Sequence, residues 1–334
     1  MNIYRSCDMS DKQKIDWYKT PVEKKVFKNL TRRSNLRGLI HTLGFLFFLC
    51  VSGFSAFWSI QNLSLILICI VFMVHGVLFS FILNGFHELS HNTVFKSKKL
   101  NSFFYRLFSF LSWNNHVFFS ESHRKHHFYT LHKDIDQEVS LPIELSAREF
   151  ILRGFVNPQG FLETLFGTLI LSLGIVKGKM YTGLGSFSAE WKESLFPGDG
   201  FKGRQQLINW ARITLLGHLL ILGASLYFGY WTIPLIVSLA PFYGSGFLYL
   251  LNPTQHKGMK GDVSDYRLNS RTILLNPFLR FLYWNMNYHI EHHMYAAVPF
   301  YNLGKLHTLI EHDLPEAPEG VIKTWIQIKK IEKK

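Results

Sequence analysis

Residues 63–91 read LSLILICIVFMVHGVLFSFILNGFHELSH, an apolar run that ends in two histidines, His87 and His91. The part 63–84 is long enough to cross the hydrocarbon core of a bilayer, which needs about 20 apolar residues. Residues four apart lie on one face of a helix, so both imidazoles point to the same side at the end of the run. This stretch predicts a transmembrane helix that brings two metal-ligating side chains to one membrane surface.

Three further apolar runs have a similar length, and they are residues 39–60, 210–228 and 231–251. Neighbouring runs are joined by links of only two residues, Gln61-Asn62 in the first pair and Gly229-Tyr230 in the second. A short link between two runs of membrane length predicts a transmembrane hairpin. The first run is too long for the core of a cleavable signal peptide. The predicted fold class is an all-α integral membrane protein with four transmembrane helices in two hairpins, interfacial helices and a cytosolic helical cap around the metal site.

The chain, residues 1–334, is predicted to be a single membrane domain. Its parts are a cytosolic or interfacial N-terminal segment (1–38), the first hairpin (39–84), a cytosolic or interfacial region (85–209), the second hairpin (210–251) and a cytosolic region (252–334). Residues 1–38 hold ten lysines and arginines, whereas the two short links hold none. The positive-inside rule therefore places both termini and the metal site in the cytoplasm, and the expected location is a bacterial inner membrane.

The net charge of +13 favours an anionic membrane surface over nucleic acid, because no nucleic-acid motif accompanies it. Val22, Val26 and Leu30 recur every four residues among lysines, which predicts an amphipathic helix on the inner membrane surface. The shorter apolar stretches 103–119 and 161–176 are predicted to lie in the interface or to dip into the membrane.

Residues 177–209 are polar and rich in glycine, which predicts a cytoplasmic loop. Cys7, Cys50 and Cys69 are too few and too scattered for a disulfide framework or a cysteine-rich metal site. The two cysteines within the spans are predicted to be inert, buried thiols.

Two more histidine clusters, HRKHH and HIEHH, lie outside the spans and contain His123, His126, His127, His289, His292 and His293. Their spacing again places imidazoles on one helix face. Imidazole binds iron, zinc, copper and nickel, and one ion seldom takes more than about six ligands. With His87 and His91 the clusters supply more ligands than one ion takes, so the sequence predicts an all-nitrogen centre with two metals.

A ninth ligand is predicted where the fourth run ends, at Asn252-Pro-Thr-Gln-His256. The proline disfavours helix at Asn252, so a turn should begin there and place His256 about one turn into the cytosol, level with the first cluster. Asn252 could reach a metal through water, but the N-cap of the next helix is the simpler interpretation.

Other polar residues near the clusters are candidates for hydrogen bonds to ligand imidazoles. His132, Asp134 and Asp136 follow the second cluster directly, and either aspartate could orient a ligand. Glu88 and Glu291 lie within clusters but off the ligand faces, so contact with a ligand's outer nitrogen or simple solvation is predicted for them.

The remaining histidines are predicted to lie outside the site. His75 is roughly 18 Å from the first cluster along the same helix, at about 1.5 Å per residue. His41 and His218 stand alone in spans and are predicted to hydrogen-bond between helices. His307 and His312 are predicted to lie on the surface of a C-terminal helix.

The three boxes HxxxH, HxxHH and HxxHH, at the inner ends of two hairpins, resemble the membrane fatty acid desaturase and hydroxylase superfamily. The resemblance covers residues 33–314, and HELSHNTVF (87–95) and NYHIEHH (287–293) carry most of it. VPFYNL (298–303) also resembles bacterial, plant and sphingolipid desaturases. The first box has three residues between its histidines, whereas animal acyl-CoA desaturases have four. The third box begins with His289 rather than glutamine, which counts against the front-end desaturases.

The resemblance implies a di-iron centre that activates O2 and a desaturase that acts on an acyl chain or another hydrophobic substrate. It implies that the eight box histidines bind iron, and that Asn252 and His256 match the asparagine and additional histidine found after the fourth span in acyl-CoA desaturases. No GxGxxG, iron–sulfur or haem motif is present. The electrons are therefore expected from an external donor, a ferredoxin or a cytochrome b5 with its reductase.

Two other functions stay open at this point. A hydroxylase or other monooxygenase shares the boxes, because the product depends on where the substrate carbons lie. A metal transporter or sensor is the alternative from another class. A transporter should carry polar residues deep within its spans, whereas every cluster here lies at one end.

Overall fold

The computed structural model describes residues 14–139, 141, 143, 150–151, 154–183, 185–198 and 202–333. The helices in these parts are α1 (Lys24–Leu30), α2 (Asn35–Asn62), α3 (Leu65–Ser80), α4 (Ile82–Ser90), α5 (Lys98–Leu111), α6 (His116–Tyr129), α7 (Pro158–Ser172), α8 (Ala189–Leu195), α9 (Lys202–Tyr227), α10 (Ile233–Val237), α11 (Gly246–Leu251), α12 (Tyr266–Asn269), α13 (Pro277–Leu282), α14 (His289–Met294), α15 (Phe300–Ile310) and α16 (Gly320–Glu332). Short 3-10 turns cover Ala240–Phe242, Asn252–Gln255 and Glu311–Asp313. The strands β1 (Met180–Thr182) and β2 (Gly185–Phe187) form an antiparallel pair.

Three helical stretches are long and apolar enough to cross a membrane, as expected for an integral membrane protein: Asn35–Asn62, Leu65–Ser90 and Gly203–Tyr227. They correspond to α2, to α3 continued by α4, and to α9. Only Phe81 separates α3 from α4, so the second span runs directly into the helix of the first histidine box. α2 packs along α3, and α9 packs along α7.

The prediction of a continuous fourth helix over residues 231–251 is wrong. The structure divides this segment into α10, the turn Ala240–Phe242 and α11. Pro241 has no backbone N–H to donate to a helix. Gly244 has a φ of +74°, a left-handed conformation that interrupts a helix and that glycine adopts easily. Hydropathy, which suggested the span, responds to neither feature.

An aromatic core joins the first span to the segment that carries the third box. The Trp284 ring contacts those of Phe45, Phe108 and Phe300 at centroid distances of 5.9, 5.7 and 5.0 Å. All four side chains are fully buried, and His41 of α2 packs against Trp284 at 4.5 Å. Large aromatic rings dominate the energetics of such a core, so this contact stabilises the helix ends around the histidine boxes.

The regions outside the spans contain more regular structure than the sequence predicted. The expected loop 177–209 contains β1, β2, α8 and the start of α9. The expected amphipathic helix near Val26 is present as α1. Cys50 and Cys69 are exposed rather than buried, because each occupies an outward position on a helix of membrane length. Cys7 lies outside the described residues.

Candidate metal centre

Each histidine box lies on a helix, as its spacing predicted. α4 carries His87, and His91 is the residue at which this helix ends. α6 carries the second box, and its start is stabilised by Asn115, whose side chain accepts hydrogen bonds from the backbone N–H groups of Val117 and Phe118. α14 carries the third box, and all of its residues are buried.

The nine predicted ligands form two groups in space. The first group can offer five nitrogens within 4.8 Å of one another, from His87, His91, His123, His127 and His292. In the second group, His126, His256 and His293 each offer one nitrogen, and these three nitrogens also lie within 4.8 Å of one another. His289 joins the second group, because its Nε2 lies 2.9 Å from Nε2 of His256 and 3.1 Å from Nε2 of His293.

The Nε2 atoms of His256, His289 and His293 face one another, but they carry too few hydrogens to form hydrogen bonds among all three. Nδ1 of His256 donates to the backbone oxygen of Asn269 at 2.8 Å. Nδ1 of His293 donates at 3.1 Å to Oγ1 of Thr130, whose own hydrogen goes to a backbone oxygen. A neutral imidazole carries one ring hydrogen, so both Nε2 atoms present lone pairs to Nε2 of His289. A single hydrogen on His289 can satisfy only one of them, whereas a cation satisfies all three nitrogens.

The spacing in the first group also fits ligands of one metal ion. Two nitrogens bound at about 2.1 Å and at right angles to each other lie about 3.0 Å apart. Nε2 of His123 lies 3.2 Å from Nε2 of His91 and 3.0 Å from Nε2 of His127. Nε2 of His87 and of His292 are buried and have no hydrogen-bond partner within the described part of the chain. Buried polar atoms rarely stay unsatisfied, and a metal would satisfy these two.

Burial favours the neutral form, which binds metals, in most of the nine imidazoles. It lowers the pKa of His91 to about 4 and the pKa of His256 to about 3. The same cause holds a further set of pKa values well below the usual value, those of His123, His127, His289, His292 and His293.

Carboxylates face the outer nitrogens of the first group. Nδ1 of His123 donates to Oε1 of Glu138 at 2.6 Å. Oε1 of the buried Glu88 lies 3.2 Å from Nδ1 of His87 and 3.4 Å from Nδ1 of His292. The side chain of Glu88 thus links the first box to the third. Partners of this kind fix which ring nitrogen carries the hydrogen and make the ligand more basic.

Glu138 is a residue of the site that sequence reasoning missed. Its second carboxylate oxygen accepts from the Ser122 hydroxyl, whose Oγ accepts from Nε1 of Trp191. Burial raises the pKa of Glu138 to about 7, and a nearby cation would lower it again. The available signal was the position of Glu138 two residues after Asp136, to which its backbone N–H donates.

The two aspartates after the second box differ in their contacts. Asp136 accepts from Nδ1 of His126 at 2.7 Å. Burial opposes the charged form of His126, but Asp136 outweighs it and raises the pKa of His126. Asp134 reaches no box histidine within the described residues, and its φ of +62° belongs to the turn that brings Asp136 back to α6. His132 also lies apart from the ligands, since its Nδ1 donates to a backbone oxygen at 3.2 Å.

Glu291 lies within the third box but faces away from both groups. It is buried and accepts hydrogen bonds from the Thr272 hydroxyl and from Nδ1 of His307. The predicted surface position of His307 is therefore wrong, because this bond holds it against α14. His312 is exposed, as predicted.

Asn252 is not an N-cap, contrary to the simpler interpretation of the sequence. It has helical backbone angles and is the first residue of the 3-10 turn that follows α11 directly. Its Oδ1 accepts from the Tyr283 hydroxyl at 3.0 Å, and Gln255 donates to the same hydroxyl at 2.8 Å. These two bonds stabilise the turn that presents His256.

His218 bonds to neighbouring segments, as predicted, and so does His75, for which the sequence predicted only a position outside the metal site. His75 lies between Oγ of Ser52, at 2.8 Å, and the backbone oxygen of Ile236, at 2.9 Å. His218 lies between Oγ of Ser238, at 2.8 Å, and a backbone oxygen of α5, at 3.2 Å. Both bonds tie the broken segment after α9 to other helices, and neither histidine belongs to a metal group.

The fold and the site together define a class of protein, a membrane protein whose helix ends bring together two groups of histidines suited to metals. The sequence profile described as Fatty acid desaturase matches residues 62–325, well over half of the chain. The chain belongs to the fatty acid desaturase family, which confirms the resemblance seen in its boxes. A search of curated proteins found no match. Membership supports an oxidoreductase of the desaturase and hydroxylase type, with a lipid or acyl substrate and a membrane environment.

Proposed function

We propose that this protein is an O2-dependent desaturase that uses two irons to introduce a C=C bond into a lipid acyl chain. The observation that carries the proposal is the convergence of nine histidines in two adjacent groups. Family membership supports a reaction of the desaturase and hydroxylase type. Imidazole nitrogens are suitable ligands for iron.

The first group would hold one iron and the second group the other. Two irons, when bound, would supply the activation of O2 that no side chain can supply. In the overall reaction, a –CH2–CH2– unit, O2, two electrons and two protons give –CH=CH– and two molecules of water. The same centre serves the rival hydroxylase, in which one oxygen atom remains on the substrate.

The side chains around the groups orient the ligands and exclude water. Glu88, Glu138 and Asp136 accept from or face outer imidazole nitrogens, so each ring can present its inner nitrogen to a metal. α4 continues the second span, which places His87 at the end of a helix of membrane length. An acyl chain lying beside this span, with its head group at the membrane surface, would meet the groups at a fixed depth.

We also propose four membrane crossings with both termini in the cytoplasm. α9 begins near the histidine boxes, where the Trp210 ring packs on the first residue of α6 at 4.3 Å. It ends at the opposite side, where Tyr230 contacts α2 at 6.0 Å near the far end of that helix. His256 lies back among the boxes, so residues 231–251 return over the same distance as broken helices. The positive charge of residues 1–38 favours the cytoplasmic side for the boxes.

The proposal is tested by mass spectrometry of the lipids of a host that expresses the chain. The host also expresses a ferredoxin or cytochrome b5 with its reductase. The expected product is lighter than its precursor by two hydrogens, and fragmentation locates the new double bond. His289→Ala removes the nitrogen that faces the lone pairs of His256 and His293. This variant should therefore bind less iron and form no product, while it stays in the membrane. His312→Ala, at an exposed histidine, is the matched control and should keep the activity.

The alternatives give different results in the same experiment. A product heavier by one oxygen would identify a hydroxylase and overturn the desaturase proposal. A product formed equally well by His289→Ala would remove the second group from the proposed site.

A further inference from the structure

An aromatic stack leads from the protein surface to the second histidine group. The Trp17 and Tyr266 rings are stacked, with centroids 4.2 Å apart and planes inclined by 8°. The Tyr266 ring contacts that of His293 at 5.6 Å, and its hydroxyl donates to the backbone oxygen of His127 at 3.1 Å. Trp17 is partly exposed, whereas Tyr266 is 4% exposed. The two rings thus form a continuous contact between solvent and a proposed metal ligand.

Trp17 belongs to an N-terminal strap, residues 14–22, which contacts the end of the third-box helix through Thr20, whose backbone N–H donates to Sδ of Met294. The indole Nε1 donates to the backbone oxygen of Phe128 at 3.0 Å, which fixes the ring over the end of α6. The backbone N–H of Tyr18 donates to Ser264 at 2.9 Å. The strap precedes residues 62–325, the part that the family profile covers, so family membership says nothing about it.

The strap is held by a cluster of polar contacts around Asp313. The hydroxyls of Tyr18 and Thr20 both donate to Oδ2 of Asp313 at 2.7 Å. Arg267 donates to Oδ1 of Asp313 and stacks over the Tyr18 ring, 3.9 Å from its centroid. Arg267 also pairs with Asp265 at 2.7 Å. With its neighbours fixed in this way, Trp17 has a defined position over Tyr266.

Exposed apolar side chains surround the outer end of the stack. Tyr18, Phe128 and Leu268 are 39%, 49% and 41% exposed. They lie outside the helices of membrane length, so contact with lipid tails along a span does not account for their exposure. Exposed apolar side chains around one point of such a surface suit contact with another molecule.

We propose that Trp17 and Tyr266 form the path by which electrons reach the metal centre from a one-electron carrier protein docked over Trp17. The inference rests on the proposed function, which requires two electrons from outside for each double bond. Each electron leaves the carrier, which is oxidised, and reduces a metal ion. No bond in either ring forms or breaks, and Tyr266 keeps its hydroxyl hydrogen. Electron tunnelling slows steeply with distance, and the packed rings offer a path without a gap.

The test measures electron transfer alone, without substrate or O2. The full-length protein, loaded with ferric iron in lipid nanodiscs, is mixed anaerobically with a reduced plant-type ferredoxin, which is a strong one-electron donor. Absorbance follows the oxidation of the ferredoxin at increasing ferredoxin concentration. The limiting rate then reports transfer through the protein, and the concentration dependence reports docking. Dithionite, a small reductant, measures how easily the metals are reduced without a protein donor.

Trp17→Leu leaves a gap at the outer end of the stack, whereas Trp17→Phe keeps an aromatic ring there. We expect Trp17→Leu to lower the limiting rate severalfold, because an electron tunnels more slowly across a gap than through packed atoms. Trp17→Phe should lower the limiting rate less. In both variants the iron content and the rate of reduction by dithionite should not change. Trp58→Leu, at a half-exposed tryptophan near the far end of α2, is the matched control and should behave like wild type.

An unchanged limiting rate in Trp17→Leu would overturn the proposed path, even if the variant docks the ferredoxin more weakly. A wild-type protein that dithionite reduces but ferredoxin does not would overturn it as well. Failure here is distinguishable from failure of the proposed function, because that function is tested by the lipid product and this path by the limiting rate.

Discussion

At the scale of single residues, the partners of the outer histidine nitrogens orient the imidazoles and set which ring nitrogen is free to bind a metal. Glu88 faces Nδ1 of His87 in the first box and Nδ1 of His292 in the third, and it is 1% exposed. Burying a carboxylate is costly unless positive charge or hydrogen-bond donors compensate for it. A bound metal supplies that charge, so Glu88 and metal binding should stabilise each other.

Glu88→Gln keeps the shape of the side chain and removes its charge. We expect this variant to bind iron about 10–100-fold more weakly, the usual loss when an outer partner of a metal ligand is changed. Titration of the purified protein with an iron chelator measures the affinity directly. Glu121→Gln, on α6 but paired with Arg124 at 2.6 Å, is the control and should resemble wild type. Equal affinity in both variants would show that the charge of Glu88 does not contribute.

The residues of the site differ in how far the sequence could predict them. Box histidines were predictable because residues three and four apart share a helix face, which is a local property. Glu138 and His307 were not, because each approaches its partner only after the chain has turned back. Leu131 and Asp134, both with positive φ, make the turn that returns Glu138 to His123, and periodicity does not encode such a turn.

At the scale of elements, the N-terminal strap depends on one carboxylate. Hydrogen bonds from Thr20 and Tyr18 hold the pKa of Asp313 below its usual range, so folding favours its ionised form. The stabilisation is therefore present above the ordinary aspartate pKa of about 3.9 and is lost as the pH falls through the lower folded value. The strap should stay attached throughout the neutral range.

Asp313→Asn should loosen the strap at neutral pH, because it removes the charge that faces Arg267 and weakens the two hydroxyl contacts. Trypsin should then cleave after Lys19 several-fold faster than in wild type, and mass spectrometry of the released peptide measures the rate. Glu319→Gln removes an exposed carboxylate that pairs with Lys323 and serves as the control. Unchanged cleavage in Asp313→Asn would mean that the other contacts of the strap, such as the indole bond of Trp17 to Phe128, are enough to hold it.

The broken segment 231–251 packs on α3 by direct backbone contact. A Cβ added at Gly76 would lie 2.4 Å from the backbone oxygen of Tyr243, so a larger residue cannot fit without moving the chain. Gly76→Val should destabilise the fold by about 1–3 kcal/mol, the usual cost of overpacking. Gly223→Val, where a Cβ meets nothing within 4 Å, should be nearly neutral. Apparent melting temperatures in detergent compare the two, and equal values would argue against this contact.

Hydropathy predicted α2, the α3–α4 stretch and α9 because each is a long apolar run without an internal breaker. It failed for the fourth run because Pro241 and the left-handed Gly244 break the helix without lowering hydropathy. The exposed positions of Cys50 and Cys69 have a related cause. In a membrane the outward face of a helix is as apolar as its packed face, so an apolar sequence does not show which residues are buried.

At the scale of the whole molecule, the second histidine group depends on the path of the broken segment. His256 meets His289 only because the chain comes back after α9 to the side on which α9 began. The sequence predicted this meeting from the matching order of two hairpins, although one hairpin lacks a continuous second helix. A return across the membrane, rather than a shallow dip, is therefore the structural requirement to test.

The crossings are tested in intact cells with variants that each carry one introduced cysteine. The natural cysteines Cys7, Cys50 and Cys69 are first changed to serine. Because residues 1–38 carry the positive charge, Asn62→Cys and Tyr230→Cys should react from outside with a membrane-impermeant maleimide. His312→Cys, exposed near the other terminus, should react only after permeabilisation. Labelling of Asn62→Cys but not Tyr230→Cys from outside would mean that α9 and the broken segment enter the membrane without crossing it. His256 would then reach the boxes from a re-entrant hairpin, and the proposed four crossings would be reduced to two.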